Sequence, residues 1–77
     1  MLCKQRQDKL TELASIEGAS TPDDLIEAAI LDSVVPGICM EEGCSYSTEV
    51  EPDQTQGWCE ECDKGTVESC LSIAGII

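Results

Sequence analysis

Seventy-seven residues make a single domain, and a core of that size rarely supplies more than about 3–5 kcal/mol unless something staples it. One Trp, one Tyr, no Phe and no His leave little bulky burial; they also exclude Ser-His and Cys-His catalysis and zinc enzymes with imidazole ligands. The formal net charge is −12, and from Leu10 onward fifteen acids face Lys64 alone; such a chain repels phosphate backbones and anionic membranes and favours a basic protein surface.

The spacing predicts a charged amphipathic helix over residues 1–17, with Leu10, Leu13 and Ala14 on one face, Leu2 close to it, and Gly18 as the stop. A second helix starts at Thr21 as N-cap, with Pro22 in its first turn and Asp23 and Asp24 where the helix dipole favours acids. Leu25, Ile26, Ala29 and Ile30 share its apolar face while Leu31 lies off it. This helix should end near Ser33, because Pro36 disfavours helix at Val35 and Gly37 permits a turn. The two helices are expected to form a hairpin-like layer joined to the remainder through Val34, Val35 and the tail.

Past Pro36-Gly37 the composition shifts to Cys, Gly, Thr and Glu. Residues 1–35 are therefore read as a helical segment and 36–77 as a second unit of the same domain. Tyr46 to Glu51 alternates like a short strand and stops at Pro52, residues 53–57 turn, Gly57-Trp58 leads into a cysteine pair, and Thr66-Val67 returns as a strand. From Glu68 the tail carries Val67, Cys70, Leu71 and Ala74 at helical spacing and is read as a short helix in preference to a strand.

The basic start is not followed by the apolar run of a secretory signal, and the longest apolar runs are too short to span a bilayer. A cytoplasmic, reducing setting is the expectation, and it turns the six cysteines from disulfides toward metal. The informative spacing is Cys39-x4-Cys44, fourteen residues, then Cys59-x2-Cys62. Two close pairs on tight turns, brought together by a hairpin-length loop, can surround one ion with four thiolates, as in a zinc ribbon. Without the ion this half should unravel, since structural zinc in small peptides contributes roughly 10–16 kcal/mol. Gly65 after the second pair is expected to turn the chain back with positive φ, and Gly43 to loosen the first turn.

Zinc, one ion per chain, leads this reading, and a rubredoxin-like iron centre for electron transfer is the runner-up. Against iron stand the x4 pair, the short loop and the missing aromatics. Thioredoxin-like redox chemistry at Cys59-x2-Cys62 is disfavoured, because Glu60 and Glu61 would raise thiol pKa values and no βαβ pattern surrounds the pair.

The segments Pro36-Gly37-Ile38-Cys39, Cys44-Ser45-Tyr46, Glu51-Pro52-Asp53-Gln54, Gly57-Trp58-Cys59-Glu60-Glu61-Cys62 and Ala74-Gly75-Ile76-Ile77 resemble short four-Cys zinc-ribbon proteins of phage and bacterial genomes. The likeness covers about residues 25–77. It implies a four-Cys zinc site and a phage or bacterial source, and it implies no activity.

The fold class expected is thus a small, metal-stabilised α+β protein: an N-terminal helix pair, a zinc-ribbon β-hairpin unit and a short C-terminal helix. Cys70 is expected to be buried as a small hydrophobe and Cys3 to be a free thiol. Asp23-Asp24, Glu41-Glu42 and Glu60-Glu61 are read as a solvated face, since adjacent side chains diverge. The function expected is a non-catalytic acidic interaction module, an adaptor or regulator that binds a basic protein surface and neither nucleic acid nor membrane. A nucleic-acid-mimicking inhibitor of a host enzyme and a virion-associated structural protein are the alternatives. Leu31, Ile76 and Ile77 leave apolar surface for a homodimer.

Overall fold

Helix α1, Lys4–Glu17, leads into the sheet through helix α2, Pro22–Ala29. The structure, a computed structural model, describes residues 4–76. Leu2, Cys3 and Ile77, which carried expectations above, lie outside the described residues. Gly18 ends α1 with φ +78°. Its amide bonds Ser15 O at 3.3 Å and the Ala19 amide bonds Ala14 O at 2.8 Å, the paired bonds of a Schellman motif. Thr21 caps α2 as its sequence predicts: the Asp24 amide donates to Thr21 Oγ1 at 3.2 Å.

Four strands follow, β1 Val35–Cys39, β2 Ser47–Val50, β3 Gly57–Cys59 and β4 Lys64–Ser69, and a one-turn helix, α3 Cys70–Ile73, completes the fold. The sheet is antiparallel throughout, in the order β2-β1-β4-β3. This is a small α+β protein, as expected, but with a four-stranded sheet where a hairpin was anticipated. Strand β4 starts two residues earlier than Thr66 and runs through Ser69, so helix begins only at Cys70. There the Ser69 hydroxyl accepts from the Ser72 amide and donates to Pro52 O, capping α3 and tying it to the turn before β3.

Two boundaries depart from expectation. Helix α2 ends at Ala29 rather than near Ser33, with the chain turning through Ile30 and Leu31. Pro36-Gly37, expected as a turn, lies within β1, a central strand. Proline is tolerated there because the Cys39 amide points to β2 (Tyr46 O, 2.8 Å) and the Met40 amide to β4 (Thr66 O, 2.8 Å). Alternation then aims the Pro36 nitrogen toward β4, whose pairing has already ended at Gly37↔Ser69, so no ladder bond is lost. Gly37 is required by space: a Cβ there would lie 2.8 Å from Val50 Cγ2 and 2.9 Å from Glu68 O.

The main core joins both halves of the chain. Leu10, Leu13 and Ala14 of α1 and Leu25 and Ala29 of α2 pack with Val35, Ile38, Cys70, Leu71 and Ile73. Cys70 is fully buried there, as a small hydrophobe. A second cluster, Cys39, Cys59 and Val67 with Cys44, Tyr46, Val50 and Cys62 against it, fills the far end of the sheet. Ile30 and Leu31 are exposed, Leu31 to 87%. No helix among the described residues is long and apolar enough to cross a membrane.

Candidate metal centre

Topology brings the two cysteine pairs together. The β1–β2 turn carries Cys39 and Cys44 and the β3–β4 turn carries Cys59 and Cys62. Because β1 pairs with β4 antiparallel, the end of β1 and the start of β4 lie side by side, so both turns reach the same end of the sheet. All four sulfurs lie within 4.8 Å of one another, and this group can hold a metal ion. Cys39 Sγ is 3.7 Å from Cys62 Sγ, and Cys44 Sγ is 3.7 Å from Cys59 Sγ. A tetrahedron with metal–sulfur bonds of about 2.3 Å has edges of about 3.8 Å. A disulfide would need about 2.05 Å, and the described cysteines are free thiols.

The two turns are built differently. The narrow Cys59-x2-Cys62 turn closes on itself: the Cys62 amide donates to Cys59 Sγ at 3.3 Å and the Asp63 amide to Cys59 O at 2.8 Å. Positive φ falls at Asp63 (56°) and not at Gly65, a correction to the sequence reading. Gly65 sits within β4 against Gln56 O, 3.0 Å from where its Cβ would stand. The wider Cys39-x4-Cys44 turn passes through Gly43 at φ +83°, as anticipated.

The thiols are electrostatically unequal. Burial pushes Cys39 up, but the Thr66 hydroxyl 3.1 Å away, the Glu41 amide and the Cys44 and Cys59 thiols together bring it down to about 7. Desolvation, then the thiols of Cys44, Cys39 and Cys59, push Cys62 up to about 12. The Tyr46 amide favours the Cys44 thiolate, yet desolvation and the Cys39 and Cys59 thiols leave this group raised. In the metal-free chain Cys44 and Cys62 therefore hold their protons at neutral pH, and a bound ion must displace them. Affinity for a thiophilic ion is expected to fall as pH falls from 8 to 6, by at least about a hundredfold per pH unit for the protons displaced from Cys44 and Cys62, with Cys39 steepening the fall below about 7. Chelator competition across that range measures the slope; a flat profile would contradict these thiol protonation states.

No match to the chain was found among protein-family models, curated proteins or solved structures. The site is therefore read from its own chemistry.

All four cysteines singled out by spacing converge, and Cys70 lies in the other cluster. Three neighbours were missed. Thr66 reaches Cys39 from β4. Glu41, expected on a solvated face, pairs at the surface with Lys64 Nζ at 2.6 Å and so links one cysteine turn to the strand leaving the other. Lys64 holds the Glu41 carboxyl below the usual carboxylate range. Lys9 is the third, buried on α1 with its ammonium on the backbone of the first turn. Its four-residue spacing from Leu13 was the available signal.

Proposed function

We propose that Cys39, Cys44, Cys59 and Cys62 hold one zinc ion per chain in a closed structural site, and that the protein is a non-catalytic acidic interaction module. The observation that carries the zinc reading is the four-sulfur group with 3.7 Å edges, close to those of a tetrahedral thiolate site. Four thiolates complete such a site and leave no open position for substrate or water. Free thiols at these positions suit a reducing compartment. The motif resemblance to phage and bacterial zinc-ribbon proteins supports the same reading.

The binding half of the proposal follows from how the basic residues are used. Each one is in an ion pair: Lys4 with Asp8 (3.1 Å), Arg6 with Glu68 (2.7 Å), Lys9 with Glu12 (3.9 Å) and Lys64 with Glu41 (2.6 Å). Arg6 also donates to the Ser72 and Ile73 carbonyls at the end of α3. Each basic charge is thus matched by a carboxylate of the chain itself, while exposed Asp23, Asp24, Glu27, Glu60 and Glu61 face outward. A tetrathiolate zinc site adds further negative charge. The partner that fits this field is a basic protein surface, and nucleic acid is repelled.

Two measurements test the proposal. Metal analysis of protein purified without added metal should give one zinc per chain, whereas iron with a visible absorption band would select the electron carrier. A partner captured on the zinc-loaded protein should have a basic surface and elute with salt. Competition of that partner by DNA would select the nucleic-acid mimic, and direct binding of DNA or RNA at physiological salt would overturn the interaction reading.

A further inference from the structure

Helix α1 does more than pack against the core. Gln5, Lys9 and Glu12, spaced along one side of the helix, all meet residues 40–45, the wide turn between Cys39 and Cys44. Gln5 Nε2 donates to Met40 O at 2.8 Å. Lys9 Nζ donates to Glu41 O at 2.8 Å and to Cys44 O at 2.5 Å. The Ser45 hydroxyl donates to the Glu12 carboxylate.

Lys9 is the centre of this contact. It is only 6% exposed, and the carboxylate it pairs with, Glu12, is 3.9 Å away, so the carbonyls of the cysteine turn supply its short contacts. Burying an ammonium is costly unless it is hydrogen-bonded, and here the acceptors include the backbone of a ligand residue, Cys44. Each turn has an internal amide bond, Cys44 N to Glu41 O at 3.1 Å in the first and Asp63 N to Cys59 O at 2.8 Å in the second, but the first is in addition held from the helix. The first turn has two more residues between its cysteines, and its outward carbonyls are satisfied from the helix.

We propose that Lys9 is a positioning residue for the metal centre: its buried ammonium clamps the Cys39–Cys44 turn in the conformation that aims both sulfurs at the ion. This inference rests on the metal reading above. Its charge also offsets the negative field of four thiolates, and with Lys64 it brings two of the four basic residues to this end of the sheet. Outer-shell groups that orient metal ligands typically change affinity by about 10–100-fold when removed.

The test compares Lys9→Met, which keeps the apolar stem, with Lys4→Met on the same helix and with Leu13→Ala as a control for stability alone. Zinc affinity by chelator competition is expected to drop about 10–100-fold in Lys9→Met and to stay unchanged in Lys4→Met. The visible bands of the cobalt-substituted protein are expected to shift in Lys9→Met and to match wild type in Leu13→Ala, because a purely structural loss leaves the ligand field alone. Should Lys9→Met fail to fold, Lys9→Arg decides: it keeps the charge but its wider planar head does not meet both carbonyls as the ammonium does, so the cobalt bands are expected to shift while circular dichroism stays that of the wild type. Wild-type affinity and spectrum in Lys9→Met, or in Lys9→Arg where Lys9→Met does not fold, would overturn the inference. A wild-type chain that takes up no thiophilic ion would overturn the metal reading itself, and the clamp with it.

Discussion

Stripping the ion from the zinc-loaded protein with a strong chelator is expected to unfold the sheet cooperatively, with recovery when zinc is returned. The cysteine end holds little else: its cluster is built from Cys39, Cys59 and Val67, with Tyr46 and Val50 partly covered. Four thiols drawn to within 4.8 Å have no disulfide to keep them there. Structural zinc in small domains is worth roughly 10–16 kcal/mol at neutral pH, more than the few kcal/mol that a core of this size supplies. The loss should not stop at the cysteines. Strand β1 carries Cys39 at one end and Val35 and Ile38 in the main core, so the platform under α1 and α2 is the same strand that holds a ligand. Circular dichroism should lose sheet and helix signal together, and amide exchange at Val67 and Leu13 should rise in parallel. A helical signal that survives chelation intact would show that the main core stands alone.

The second large effect is expected at Leu13. It is fully buried among α1, α2 and the sheet, and Leu13→Ala leaves a cavity that costs about 2–5 kcal/mol. In a domain of this size each kcal/mol shifts the melting temperature by roughly 4–8 °C, so a fall of about 10 °C or more should be seen by thermal unfolding of the zinc-loaded protein. Leu31→Ala removes the same atoms from a side chain 87% exposed, and surface changes usually stay within about 0.5 kcal/mol. Equal melting temperatures for the two variants would place Leu13 outside the core.

Local chemistry explains which features could be read from the chain. The cysteine spacing names all four members of the cluster because a ligand pair on a tight turn is a local pattern. Thr21-Pro22 and Gly18 mark helix ends for the same reason: a cap and a positive φ are properties of a few adjacent residues. Strand β1 was hidden because Pro36 and Gly37 both read as breakers. What makes them acceptable is distant in sequence, the end of β4 at Ser69 and the tight approach of Val50 and Glu68. Lys9 was hidden by its charge. Counting basic residues gives their sum, not which of them is folded inward onto carbonyls thirty or more positions away. Ile30 shares the apolar face of α2 yet lies exposed, since the helix ends at Ala29 and turns the chain away before that face is used.

X-ray absorption at the zinc edge, on protein loaded with one equivalent of zinc, tests most directly whether Cys39, Cys44, Cys59 and Cys62 share one ion. Four sulfur neighbours at about 2.3 Å, and no nitrogen or oxygen in the first coordination sphere, is the expected spectrum. Fewer than four sulfurs, or light atoms completing the shell, would contradict a closed tetrathiolate site and the structural role built on it.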